Sequence, residues 1–299
     1  LALMDEAVRL NGADAIPDSG GFTPTYQGSR HEREWIISYL GAFYEEGLIV
    51  DVLSKVKGGK EANVYCCAAA EGLGVDYMAA KIYRPRMLRN LRNDALYREG
   101  RKVLDDEGKA VHDHGMLKAI RHGSSFGKEL SHTSWLEHEF ETLRILHKAG
   151  ANVPRPYASG NNTIMMEFLG DEEGSAPTLH EVYLGSRAEA KRLFDRLMAD
   201  VEIMLGCNRI HGDLSAYNVL YWDGDFRIID FPQAVKPQDN RSAFTIFKRD
   251  VTRLCQYFAR YGLATRPNDL AWKLWQKHGF GSLWAPDETD WDDTEHNAD

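Results

Sequence analysis

The sequence predicts an α+β protein of two lobes, and three observations predict it. Short β-type runs with tight turns crowd the first half. Helical periodicity takes over after the acidic turn GDEEGSAP at 170–177, and 299 residues, at about 150 per domain, are enough for roughly two cores. The composition is that of a globular chain, with 43% hydrophobic, 11% aromatic and 27% charged residues. The expected organisation is a flexible leader at 1–31, a first lobe with its N-terminal helix at 32–168, a second lobe at 169–284 and an acidic tail at 285–299.

The elements follow in order. Residues 11–30 are rich in Gly, Pro, Asp and Ser and read as an extended leader that buries little. Trp35, Ile36, Tyr39, Leu40, Phe43 and Tyr44 then recur at helical spacing, and the helix stops at Gly47. Three β-type runs, LIVDVLSKV, ANVYCCAAA and DYMAAKIY, are separated by KGGKE and EGLGV and make an antiparallel sheet. A basic stretch at 84–102 carries seven Arg or Lys against Asp94 and Glu99. It reads either as a contact for RNA or an acidic partner or as a solvated helix face. Residues 103–132 read as loop with one strand, on which His112 and His114 alternate as solvated side chains. A helix is expected from about Thr133 to Lys148, stopped by Gly150 and Pro154. Two strands, RPYASG and NTIMMEFL, close the first lobe. The second lobe is helical apart from a hairpin around Asp223 and Gly224, with Trp272, Trp275 and Trp284 packing the last helix.

Charge and cysteine content narrow the function. Lys and Arg number 36 against 45 Asp and Glu, a net charge of −9, so neither DNA nor RNA is the default partner. Cys66, Cys67, Cys207 and Cys255 lack C-x-x-C spacing, which offers no zinc site or disulfide framework and suits a reducing compartment. No run approaches 18 apolar residues and the N-terminus has no secretory pattern, so the expectation is a cytoplasmic protein without a membrane partner.

The chemistry concentrates in IHGDLSAYNVLYWDGDFRIIDFPQ at 210–233. Asn218 and Asp230 bracket two apolar β runs joined by Asp-Gly, so the hairpin brings the amide and the carboxylate together. One amide and one carboxylate oxygen suit Mg²⁺, which takes its remaining ligands from water and phosphates. Asp213 lies five residues before Asn218, on the entering loop, as the candidate base. The spacing H-x-D-x-x-x-x-N matches a kinase catalytic loop, although Gly212 and Pro232 stand where most protein kinases have Arg and Gly. In the helix at 133–148, Glu139 falls within the stripe of Leu136, Phe140, Leu143 and Leu146. An acid on a buried face needs a cation, and Lys81 on an apolar strand needs an anion, so the two are paired. In VKGGKEANV, Gly58 and Gly59 let the backbone approach an anion and Lys60 adds charge.

The chain resembles the RIO family of atypical serine/threonine protein kinases from about residue 50 to 260. The resemblance rests on GGKEANVYCC at 58–67, AAKIYRPR at 79–86, IHGDLSAYN at 210–218 and IIDFPQAV at 228–235. It implies a bilobal protein-kinase-like fold: an N-lobe antiparallel sheet with one main helix, and a reduced, mostly helical C-lobe. Helical periodicity resumes by about Ser242, which leaves no room for a peptide-binding activation segment. By the resemblance Asp213 is the catalytic aspartate, Asn218 and Asp230 bind the metal, and Lys81 with Glu139 grips the α- and β-phosphates. Residues 56–64, with Gly58, Gly59, Lys60 and Val64, cover MgATP. Glu167 and Phe168 lie at the adenine hinge, their side chains serving as packing.

The expected activity is transfer of the ATP γ-phosphate to a Ser or Thr hydroxyl, the chain's own included, or to water, with Mg²⁺ or Mn²⁺. One rival is an ATP-driven conformational switch or assembly factor, with a protein or ribonucleoprotein partner engaged through 84–102. The other is a small-molecule phosphotransferase of the aminoglycoside or choline kinase type, since H-G-D-L and I-D-F occur there too.

Overall fold

A computed structural model describes residues 7–10, 21–59, 61–84, 102–105, 107–122 and 124–283. Two compact units divide them. Residues 7–84, Lys102–Arg144 and Pro154–Ser175 form the first, and Ile145–Val153 with 176–283 form the second. The acidic tail, Trp284, Lys60 and all of the basic stretch except Arg84 and Lys102 lie outside the described residues.

The first unit is built on a six-stranded sheet: β1 (Val8–Arg9), β2 (Ile49–Gly58), β3 (Ala62–Ala69), β4 (Tyr77–Tyr83), β5 (Pro156–Gly160) and β6 (Thr163–Glu167). The spatial order is β1-β5-β6-β4-β3-β2, and every pairing is antiparallel except β1 with β5. Pairing along β2 is irregular at three points, between Ile49 and Asp51, Val52 and Ser54, and Lys55 and Lys57. Helix α1 (Arg30–Glu45) starts at Ser29, whose hydroxyl accepts the Glu32 N–H. It buries Ile36, Leu40 and Phe43 in one core with Val52, Tyr65, Cys67, Met78, Ala80 and Ile82. Because side chains alternate along β3 and β4, Val64 and Lys81 belong to the opposite face.

Three expectations need correction here. The stretch 103–132 is loop only as far as 113 among the described residues, with an isolated bridge between Leu104 and Ala110 in place of a strand; beyond it α2 spans His114–His122 and α3 spans Ser125–Lys148. Asp113 caps α2 by accepting the Met116 N–H, and its exposed neighbours His112 and His114 flank a helix start, not a strand. The first turns of α3 carry no apolar stripe; once nucleated by the packed half, the helix extends through good formers such as Lys128, Glu129 and Leu130. The leader also buries more than its composition suggested. Phe22 stacks on Tyr44 at 4.7 Å within the core, and β1 adds to the sheet edge. A small hairpin, β7 (Gly170–Asp171) with β8 (Gly174–Ser175), completes this unit.

The second unit is helical, as expected. Helix α4 (Arg187–Gly206), capped by Ser186, buries Leu193, Leu197, Val201 and Leu205. The hairpin β9 (Val219–Trp222) and β10 (Asp225–Ile228) turns at Asp223 and Gly224, both at positive φ as the Asp-Gly pair requires. Helices α5 (Ala243–Ala259) and α6 (Pro267–Lys277) follow. Trp275, fully buried, packs on Phe244, Phe247 and Phe280, and Trp272 lies edge-on to Phe244. No helix among the described residues is long and apolar enough to cross a membrane.

Candidate active site

In the first unit, Lys81 sits on β4 between β3 and β6, directly opposite Val64. Its Nζ donates to Glu139 Oε1 of α3 at 2.7 Å, with side-chain exposures of 10% and 1%. A buried ion pair is weak evidence for stability, because its desolvation cost offsets most of the attraction. The pair expected from the helix stripe and the strand is therefore present. Glu137 is buried as well. It accepts from Arg9 Nε at 2.7 Å and from Ser159 at 3.3 Å, and burial still raises its pKa above the ordinary carboxylate value. At the hairpin tip Gly59 donates its N–H to the Ala62 carbonyl, and a Cβ there would lie 2.9 Å from that oxygen. Gly58 pairs with Asn63, while Lys60 lies outside the described residues. Glu167, paired with Met78 at the end of β6, accepts the Arg155 N–H at 3.1 Å. Phe168 lies edge-on to Tyr77 at 6.0 Å, so both side chains serve the local packing.

In the second unit the loop at 210–218 is tied to the segment after β10. Ile210 and Val235 exchange backbone hydrogen bonds, and His211 bridges the Asp213 N–H and the Ile229 carbonyl. Gly212, at φ +85°, leaves no room for a side chain: a Cβ would stand 2.3 Å from the Gln233 carbonyl oxygen. The departure from the usual Arg at this position thus has a steric cause. Asn218 donates its amide to the Asp213 carbonyl at 2.9 Å and to Asp213 Oδ2 at 3.3 Å. Its own carbonyl accepts the Ile229 N–H, which brings Asp230 beside it as the hairpin argument required. Asp230 holds φ +74°, an uncommon conformation for a non-glycine residue and one typical of functional loops.

Sequence reasoning missed three residues of α5. Asp250 is buried and accepts the N–H groups of Gly212 (2.7 Å) and Leu214 (3.1 Å). Burial pushes its pKa up to about 7 against those bonds and the nearby Arg249. Asp250 falls among Phe247, Val251 and Leu254, so the rule that found Glu139, an acid within an apolar stripe, applies to it too. Arg253 Nη1 donates to Asp213 Oδ1 at 2.5 Å, and Arg249 Nη2 donates to the Gly212 carbonyl.

A loop that presents one aspartate with an asparagine and a second aspartate beside it supplies hard oxygen ligands and a base. The model of the RIO domain matches residues 63–270 of this sequence. The chain belongs to the RIO family. It is 31% identical over 245 residues to the serine/threonine-protein kinase RIO1 of Chaetomium thermophilum, covering 79% of this chain and 44% of that protein. It is also 31% identical over 230 residues to the RIO-type serine/threonine-protein kinase Rio2 of Methanocaldococcus jannaschii, covering 74% and 73%. Against the RIO1 proteins of C. thermophilum, Caenorhabditis elegans and Homo sapiens, this RIO chain spans less than half the relative's length. Among solved structures it is similar to the C. thermophilum Rio2 kinase in its ADP/Mg²⁺-phosphoaspartate complex, with TM-score 0.53, 20% identity and coverage of 82% and 70%. The protein-kinase-like fold expected from the sequence is thereby shown.

The side-chain nitrogen of Asn218 is engaged by Asp213 and its backbone carbonyl by the Ile229 N–H, so its side-chain oxygen is the atom that could meet a metal, with Asp230 the next residue along the chain from Ile229. Two hard oxygens fit Mg²⁺ better than a softer metal. Among the described residues no cluster of three His, Cys, Asp or Glu offers a further metal site, and His112 and His114 form none.

Proposed function

We propose that this chain is an ATP- and Mg²⁺-dependent phosphotransferase of RIO type, with a Ser or Thr hydroxyl or water as the acceptor. The observation that carries the reading is the hydrogen-bonded set of Asp213 and Asn218, with Asp230 beside it. Lys81, held by Glu139, binds the α- and β-phosphates, and Gly58 and Gly59, without side chains, let the backbone of the phosphate cover approach the anion. Asn218 and Asp230 hold Mg²⁺, which when bound neutralises charge on the transferring group. Asp213 orients the acceptor and takes its proton. The names of the RIO1 and Rio2 relatives and the ADP/Mg²⁺ complex of the structural neighbour support this reading.

One observation favours water as the acceptor, and with it the ATP-driven switch. Residues 231–242 are the only link between Asp230 and α5, and part of that link bridges back to Ile210, so no peptide platform is available. Incubation with γ-labelled ATP and Mg²⁺ tests both. Label is expected on protein or as free phosphate in wild type and in neither form with Asp213→Asn or Asp230→Asn. Turnover retained in Asp230→Asn would overturn the assignment.

A further inference from the structure

Arg253 plays no part in the mechanism above, yet it touches the residue on which that mechanism depends most. Its guanidinium leaves α5 one turn after Arg249, and the two hold successive residues of the catalytic loop. Arg249 takes the Gly212 carbonyl and Arg253 takes the Asp213 carboxylate. Between them Asp250 takes the N–H groups of Gly212 and Leu214. Arg253 grips the side chain of the loop's aspartate.

Folding stability does not account for that grip. The two side chains are 38% and 43% exposed, and an ion pair so open to solvent contributes about 0–1 kcal/mol. The loop backbone is already anchored by Asp250. Apart from Arg253, the Asp213 carboxylate is held only by the longer 3.3 Å bond from the Asn218 amide, and misplacing a reacting group by about 1 Å can cost on the order of 100-fold in rate.

We propose that Arg253 is a positioning residue for phosphoryl transfer. It fixes Asp213 through Oδ1, so that Oδ2, beside the Asn218 amide, meets the acceptor hydroxyl. As the acceptor oxygen bonds to the γ-phosphorus, its proton passes to Oδ2 and the bond from that phosphorus to the ADP oxygen breaks. The proposal rests on the phosphotransfer reading. Lysine at this position would keep the charge but lose the planar fork that pins a carboxylate in one plane.

The test compares wild type, Arg253→Ala, Arg253→Lys and Asp230→Asn in steady-state MgATP turnover, with urea unfolding of each. Arg253→Ala is expected to lower kcat by about 30- to 100-fold while KM for ATP stays within about threefold. Its unfolding midpoint should stay close to that of wild type. Arg253→Lys should recover part of the loss, and added guanidinium ion should accelerate Arg253→Ala but not wild type. A kcat within about threefold of wild type, a loss confined to KM, or a lack of recovery by both Lys and guanidinium overturns the proposal. Wild-type turnover that Asp230→Asn abolishes and Arg253→Ala leaves intact overturns this inference alone. A wild type without turnover overturns the phosphotransfer reading and this inference with it.

Discussion

Asp250 shows how much one buried carboxylate governs. Its two oxygens each accept a backbone N–H of the catalytic loop, while burial holds its pKa up to about 7, above the ordinary 3.8. The folded state therefore binds more protons than the unfolded state between these values, and the group's stabilising contribution is complete below about pH 4. It falls as pH rises toward 7, with a slope of at most about 1.4 kcal/mol per pH unit. Urea unfolding of wild type should show this decline, and Asp250→Asn should flatten it. Asn offers one acceptor in place of two and leaves one N–H unsatisfied, so its stability at pH 7 should fall by about 1–3 kcal/mol. Gly212→Ala is expected to be worse tolerated than its size suggests, because both the positive φ and the Gln233 carbonyl oppose a Cβ. Strain alone costs about 1–3 kcal/mol there, and a shifted melting temperature with depressed turnover would show it. The Lys81–Glu139 pair and the closeness of Asp213 and Asn218 were legible in the sequence, the first from an acid within an apolar stripe and the second from the spacing of the loop motif. Arg253 was not, because an arginine on a helix surface is unremarkable until its neighbour in space is known.

Among the elements, α3 depends on a segment that the composition dismissed. Glu137 and Glu139 are two residues apart and so project about 200° from one another around the helix, yet both are buried. Lys81 answers one and Arg9, from β1, answers the other, with Arg9 also at 3.2 Å from Glu141 and over the Phe140 ring. Arg9→Ala leaves Glu137 buried without its cation. Stability should drop by about 2 kcal/mol, less than for a fully enclosed pair because Arg9 is 26% exposed. The double variant Arg9→Ala with Glu137→Gln should recover most of that in urea unfolding, and failure to recover would show that β1 acts through its strand pairing instead. Strand positions and the helices at 30–45, 243–259 and 267–277 agree with the periodicity because each has an apolar face against a core. The start of α3 escaped it because its first turns carry no apolar stripe, and α2 escaped it because the stripe of Met116, Leu117 and Ile120 spans only nine residues.

For the whole molecule, the change from period-2 to helical patterning pointed to two units; the described residues do divide into two, but 169–175 fall in the first and Ile145–Val153 in the second. Binding of MgATP to the folded chain alone should stabilise it with the logarithm of ligand concentration, by about 2.7 kcal/mol at 100 times Kd. A thermal-shift titration checks this: the midpoint should rise with ATP and Mg²⁺ together, and the Mg²⁺-dependent part should vanish in Asp230→Asn or with a chelator. An equal rise without the metal would count against Asn218 and Asp230 as its ligands. The margin of the sheet has a further consequence. A strand whose outer side is long, regular and flat is a template on which further copies of a chain can polymerise. Strand β2 occupies that position and carries Val50 and Leu53 exposed, the kind of sequence that promotes fibre growth. Its three pairing irregularities, the lysines at 55 and 57, and the Tyr26 N–H already resting on the Val52 carbonyl interrupt that template and oppose the pairing of a second chain.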